Sequence, residues 1–266
     1  MSYLSMLFSG ILSPFSGLHP MITLIPISVL IGIAMLWVFA RTSNQNAIQK
    51  VKARLQAHLY EMRLFTDEPV LIWKAQWGLL TANAKYIGLM LMPALVASIP
   101  MIVIFAQLEC FYGHAPIAVG RDTIVTAHMK SAQDAAPPSL HAPQGITVET
   151  PAVRADDGRE ISWRLRATGP ANGDLDLVFP TGTVSKSIRT GAGPQYVSER
   201  RVSSLADQVW YPGESRIPEG PVDWIEINYP SATVHALGLD LHWLIWLLII
   251  SMISALVFKS RFRVSF

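Results

Sequence analysis

The sequence predicts a membrane α-helical protein with three transmembrane helices, N-terminus out and C-terminus in. It adds a cytoplasmic helical hairpin and an all-β, sandwich-like extracytoplasmic domain. Three observations carry this. Residues 21–40, 86–108 and 241–258 are apolar runs without Asp, Glu, Lys or Arg, and about 20 such residues cross a ~30 Å hydrocarbon core as a helix. Basic residues gather in 41–85 and again after Leu256. Residues 111–240 turn to Gly, Pro, Asp and Arg with short alternating runs. The 266-residue chain is 51% hydrophobic and 15% charged, a composition of integral membrane proteins. At a net charge of +2 no DNA partner is expected. Cys110 is the sole cysteine, so an internal disulfide is excluded and a zinc site would need other ligands.

The first 40 residues carry no charged side chain: they lack a basic start and their apolar run is too long for a secretory leader, so they are expected in the mature protein. Leu4, Leu7, Phe8, Ile11, Leu12, Phe15 and Leu18 recur at helical spacing, with Ser5, Ser9, Gly10, Ser13 and Ser16 opposite. That pattern suits an interfacial amphipathic helix broken by Pro14, or by Gly17 and Pro20; the alternative is a poorly ordered extension. Residues 21–40 form the first span, and Arg41 with the bases after it places its C-terminal end in the cytoplasm.

Residues 41–85 hold seven Lys/Arg against three Asp/Glu and read as a cytoplasmic hairpin. Ile48, Val51, Leu55, Leu59 and Met62, followed by Phe65, line one side of the first arm; Gln49, Lys50, Lys52, Arg54 and Arg63 fill the rest. Thr66-Asp67-Glu68-Pro69 stops one helix and starts the next. The second arm, 70–81, carries Ile72, Trp73, Gln76, Trp77 and Leu80 along one side. Packing of the arms on each other is the bland explanation of that stripe. Residues 86–108 are the second span, which Pro93 and Pro100 should bend, and Glu109 is a solvated acid at its outer end.

The third region, 111–240, holds eleven Lys/Arg against fifteen Asp/Glu. After a linker through Ala135-Ala136-Pro137-Pro138, candidate strands fall at 145–150, 161–167, 174–179, 183–189, 195–203 and 222–229. About six short strands at this spacing predict a small antiparallel sandwich. His114, His128, His141 and His235 are scattered without metal-ligand spacing, and Ser198 and Ser203 lack a nucleophile elbow. Arg200-Arg201 reads as a solvated strand edge, and Trp210 and Trp224 as core or turn residues. No catalytic residue, metal or cofactor is assigned, and the protein is not read as an enzyme. Residues 241–258 are the third span, with His242, Trp243 and Trp246 as its outer aromatic belt and Lys259, Arg261 and Arg263 on the cytoplasmic side. Ser251, Ser254 and Ala255 offer a small face for close helix contact. The basic tail is 259–266.

Three stretches carry a family resemblance: LFSGILSPFSGLHP before the first span, TSNQNAIQKVKARLQAHLYEMRLF as the first hairpin arm, and MLMPALVASIPMIVIFAQL as the second span. With the order of elements, these resemble the YidC/Oxa insertase superfamily in its reduced three-span, DUF106-like form. The resemblance covers 1–110 and 240–266. It departs from the family in two ways: the first span has no basic residue, leaving Arg41 at its end as the nearest, and a β-rich insert stands where the family has short connections.

The resemblance implies an insertase or membrane chaperone that eases apolar segments into the bilayer without an energy source. Leu55, Leu59, Met62, Trp73 and Trp77 would then contact substrate. Arg41, Thr42, Ser43, Gln45, Asn83, Ser98, Ser251 and Ser254 would line a hydrophilic groove. Lys50, Lys52 and Arg54 would meet ribosomal RNA or anionic headgroups. The implied partners are the lipid bilayer, nascent membrane proteins, the ribosome and an extracytoplasmic protein bound by the β domain; the implied location is a bacterial inner membrane. The alternative is a membrane-anchored accessory subunit whose β-sandwich binds an envelope partner.

Overall fold

The computed structural model describes residues 3–15, 18–64, 68–131, 137–155, 158–180 and 182–262. Ser16 and Gly17, Phe65 with the Thr66-Asp67 restart signal, the Ala135-Ala136 linker and Arg263 lie outside them.

The helical elements follow the apolar runs. Helix α1 (Tyr3–Leu12) passes into a 3-10 turn at Ser13–Phe15. Helix α2 (Pro20–Thr42) opens on a proline, which is pre-set for a first helical turn. Helix α3 (Gln45–Leu64) starts at Asn44, whose Oδ1 accepts from the Ala47 N–H at 3.0 Å. Helix α4 (Pro69–Tyr112) begins on a second such proline and runs 44 residues through Pro93 and Pro100. The expected hairpin arm and second span are therefore one helix. No glycine, proline or cap separates Thr81 from Tyr86, and Ala82, Ala84 and Lys85 are strong helix formers. Both α2 and α4 are long and apolar enough to cross a membrane, with mean hydropathies of 2.5 and 2.4 over an 18-residue stretch. Helix α4 spans roughly 66 Å at 1.5 Å per residue, about twice a hydrocarbon core. Near the C-terminus, α6 (Trp243–Phe258) is apolar but only 16 residues long.

The chain divides into two compact units, Met1–Leu24 with Ile102–Trp246 and Ile25–Met101 with Leu247–Phe266. In the second, α2 meets α6 at Gly32. A Cβ there would stand 2.5 Å from the Ser251 carbonyl oxygen and 3.1 Å from the Ser254 Cβ. The Ser254 hydroxyl donates to the Val29 carbonyl at 3.3 Å. Helices α3 and α4 approach at Gly78, whose missing side chain admits the His58 ring, 2.6 Å from where a Cβ would sit.

The first unit is β-rich and antiparallel. One sheet comprises β1 (Asp122–Met129), β3 (Ile146–Val148), β4 (Val153–Ala155), β5 (Glu160–Ala167), β8 (Arg200–Val202) and β9 (Val222–Ile227). Its order is β3-β5-β1-β9-β8, with β4 also on β5. A second sheet runs β2 (Ser139–His141), β6 (Ala171–Phe179), β7 (Gly182–Thr190), and β10 (Val234–Ala236) pairs with β11 (Leu239–Leu241). Alternate residues of both larger sheets enter one core: Val125, Ala127 and Met129 from β1, Ile161, Trp163 and Leu165 from β5, Leu175 and Leu177 from β6, Ile188 from β7. The period-2 pattern puts one face of each strand there. A short helix α5 (Leu205–Trp210) follows β8, capped by the Ser204 hydroxyl.

Several expectations are corrected. The central strand of the large sheet is β1, absent from the strands expected from sequence. The run 195–203 is a strand only at Arg200–Val202. Arg200 does lie on an edge strand, β8, but is not freely solvated: its guanidinium stands 4.9 and 4.4 Å from the Tyr211 and Trp224 ring centroids and pairs with Glu226. Arg201 bonds the Ser185, Ser215 and Arg216 carbonyl oxygens. Trp224 is half-buried, and Trp210, expected in a core or turn, is exposed at the end of α5.

Candidate functional site

The α3–α4 hairpin turns an inner face of small and branched residues toward itself. Ile48 and Val51 of α3 and Ala75 and Ala82 of α4 are buried. Burial thus takes up the first half of the α3 stripe, and the arms approach each other at His58 and Gly78. It does not account for the rest. Trp73 is 73% exposed and Trp77 68%, one helical turn apart on α4, and Leu59, Leu64, Val70 and Leu80 are exposed as well. Leu55 and Met62 are half-buried, and Lys50, Lys52 and Arg54 are exposed. The five residues named as substrate contacts therefore present apolar surface on an element that also carries cations. Monomeric soluble domains seldom leave such surface open.

The groove candidates do not form one site. Arg41 is exposed with its guanidinium 5.8 Å from the Trp37 ring centroid. Thr42 donates to the Val38 carbonyl at 2.8 Å, and Gln45 donates to the Ser43 hydroxyl. These four cluster at the α2–α3 turn. Asn83 and Ser98 are fifteen residues apart on α4, roughly 22 Å along the axis, and Ser98 bonds back to the Leu95 carbonyl. Ser251 and Ser254 are engaged in the close approach to Gly32, with Ser254 buried. Their small size serves helix contact.

Two polar systems in the β-rich unit are invisible to motif reading. In the first, Ser5 is buried; its hydroxyl donates to the Pro212 carbonyl at 2.5 Å and accepts from Gln107 Nε2 at 3.1 Å. The Tyr196 hydroxyl donates to Gln107 Oε1 at 2.9 Å, and burial pushes Tyr196 above its ordinary value. In the second, fully buried Lys186 donates to Glu214 Oε1 at 2.5 Å and the Ser198 carbonyl at 2.6 Å. Glu214 Oε2 accepts from the Ser187 N–H at 3.1 Å. Burial opposes ionisation of both: it draws Lys186 down against the pull of Glu214, whereas for Glu214 the Lys186 charge and the Ser187 bonds overcome burial and hold the carboxyl below its ordinary range. Together with Arg201 on the Ser185 carbonyl and the Tyr229 hydroxyl accepting from Arg189 N–H, this pair occupies backbone groups along β7. An edge so filled resists addition of a further strand.

The histidines have local roles. His114 lies 3.9 Å from Glu109 and 3.6 Å from Glu199. Glu109 accepts from the Trp243 indole N–H at 2.9 Å, so it is a bonded residue at the end of α4 and not a freely solvated acid. His128 stacks on Trp224, and His235 pairs with Asp240 at 2.9 Å. Among the described residues no three His, Cys, Asp or Glu side chains converge as a metal-binding group. Comparison of the chain with protein-family models, with curated proteins and with solved structures gave no match.

Proposed function

We propose that this chain is a membrane insertase or chaperone of the YidC/Oxa type, residing in a bacterial inner membrane. The exposed Trp73–Trp77 surface on a cation-bearing helical hairpin is the observation that supports this reading. Leu55, Leu59, Met62, Trp73 and Trp77 receive an apolar segment of a nascent membrane protein. Lys50, Lys52 and Arg54 meet the ribosome or anionic headgroups. A polar flank crossing hydrocarbon costs several kcal/mol or more, and the polar turn at Arg41, Thr42, Ser43 and Gln45 lowers that cost where the segment enters. On this topology three helices span the bilayer, N-terminus out, and the β-sandwich of 111–240 is extracytoplasmic.

The test is photocrosslinking from probes at Leu55, Met62 and Trp73 to ribosome-bound nascent chains. Adducts that require an exposed apolar segment in the nascent chain are expected. Their absence would overturn the reading.

A second reading, an anchored subunit whose β domain binds an envelope partner, draws on a cavity of about 460 Å³ in the β-rich unit. Its walls, including Phe111, Tyr112, Pro194 and Val234, are mainly apolar. Probes in 160–230 that capture one stable protein while hairpin probes capture none would select it.

A further inference from the structure

We propose that α1 is sunk into the lipid with its Ser5 face turned inward, and that the Leu237 turn of the β10–β11 hairpin enters the same layer. The inference rests on the membrane location given above and concerns a different surface from the substrate hairpin.

An amphipathic helix on a body in water buries its apolar stripe and shows its polar one. Helix α1 departs from this: its buried face includes Ser5, while most of its large apolar side chains stand open. Ser5 and Leu12, seven residues apart and so on one face, are 0% and 2% exposed. Met6, Leu7, Ile11 and Phe15 point away from the protein, with Ile11 at 59%. The polar face is occupied by specific bonds, Ser5 to the Pro212 carbonyl and Gln107 to Ser5. Ser5, expected toward water, instead faces the protein, and the medium the outer face of the helix fits is hydrocarbon.

Depth follows from the partners. Gln107 is five residues inside the end of α4, about 7–8 Å along the axis. At α6 the Trp246 indole N–H donates to the Val234 carbonyl of β10 at 3.0 Å, and Trp246 is three residues inside its helix, about 4–5 Å. Both elements thus lie beside a helix end, the last two turns of α4 and the first turn of α6, within the roughly 5–10 Å at which interfacial helices sit. At the tip of β10–β11, Leu237 adopts φ +52°, a conformation that a γ-branched side chain rarely takes, and is 89% exposed. Leu239 beside it is exposed as well. The turn holds an apolar side chain outward at conformational cost, and nothing in the described chain covers it. Lipid answers for both surfaces.

The arrangement also explains Gln107. An amide in an apolar helix is costly without partners. Ser5 and Tyr196 take its two ends, so the lipid that holds α1 down keeps the Gln107 amide satisfied.

The experiment places benzoylphenylalanine singly at Ile11, Leu237, Ile99 and Val153 in the full chain, reconstituted in phosphatidylcholine–phosphatidylglycerol vesicles, and measures lipid adducts by mass. All four positions are exposed, Ile99 on α4 and Val153 on β4. Adducts at Ile11 and Leu237 at least about tenfold above Val153, and comparable with Ile99, are expected for sites in the acyl boundary. Ile11 and Leu237 at the level of Val153 while Ile99 labels would overturn the inference and leave the membrane location standing. So would adducts from Ile11 to a second copy of the chain in place of lipid. No adduct at Ile99 would overturn the membrane location, and the inference with it.

Discussion

The β-rich unit and the helical unit treat apolar side chains in opposite ways. In the first, Val125, Leu165, Leu175, Leu177, Ile188 and Ile225 are shut away completely. In the second, Leu30, Trp37, Met92, Ile99 and Met252 stand open on α2, α4 and α6. Burial of apolar area drives folding where water is the alternative. On the proposed membrane location the drive between helices vanishes, and small residues and hydrogen bonds would hold them together, as the Gly32, Ser251 and Ser254 contact can. The difference teaches which medium each surface answers to. The exposed tryptophans of the hairpin belong to neither pattern, since the hairpin also carries six exposed Lys and Arg side chains, Lys50, Lys52, Arg54 and Arg63 on α3 and Lys74 and Lys85 on α4.

The comparison breaks most sharply at Lys186. Lys186→Met leaves the Glu214 carboxylate buried without its cation and should destabilise the chain by about 3–5 kcal/mol, whereas joint replacement with Glu214→Gln should recover much of that; thermal unfolding of the three variants in detergent measures it. The pair also carries a pH signature. Glu214 has a folded pKa below its unfolded value, so its contribution is complete above the ordinary carboxylate pKa and is lost as pH falls through the folded one. Wild type should lose stability across that acid window more steeply than Glu214→Gln, measured by unfolding midpoints against pH.

Next in size is Gly32→Leu. The added side chain meets the Ser251 backbone and should cost about 1–3 kcal/mol through overpacking, seen as a lower unfolding temperature in detergent. Gln107→Leu should cost about 1–3 kcal/mol by stranding the Tyr196 hydroxyl, and Tyr196→Phe made with it should restore part of the loss.

The smallest effect on stability is expected at the hairpin. Trp73→Ser with Trp77→Ser removes no buried contact and should change stability by less than about 0.5 kcal/mol. The same double variant should lose crosslinking to nascent chains from the Leu55 probe. Loss of stability comparable to Gly32→Leu would show that these rings are packed, and would end their role as an open surface.

Much of this was legible in the chain. The apolar runs are as long as α2 and the second half of α4, and Asn44 and Pro69 mark where α3 and α4 begin. The alternation of Ile161, Trp163, Leu165 and Ala167 is the buried face of β5. Strand β1 carries the same signal, Thr123, Val125, Ala127 and Met129 against polar or exposed neighbours, and was readable by the same rule. Of the candidate site, the apolar hairpin residues were legible as a stripe, but their exposure was not, because periodicity fixes which residues share a face and not what that face meets.

Composition and periodicity therefore determined by themselves that the chain has helices apolar enough for a membrane, a basic helical pair and a β-rich segment, because these depend on local run length and spacing. Only the tertiary structure decided which way each face turns. Ser5 and Gln107 are 102 residues apart, and Lys186 and Glu214 are 28. No local pattern pairs them. Their partnership sets α1 with Ser5 inward and fills the edge of β7, since a buried polar group must find its partner wherever the fold brings one within reach.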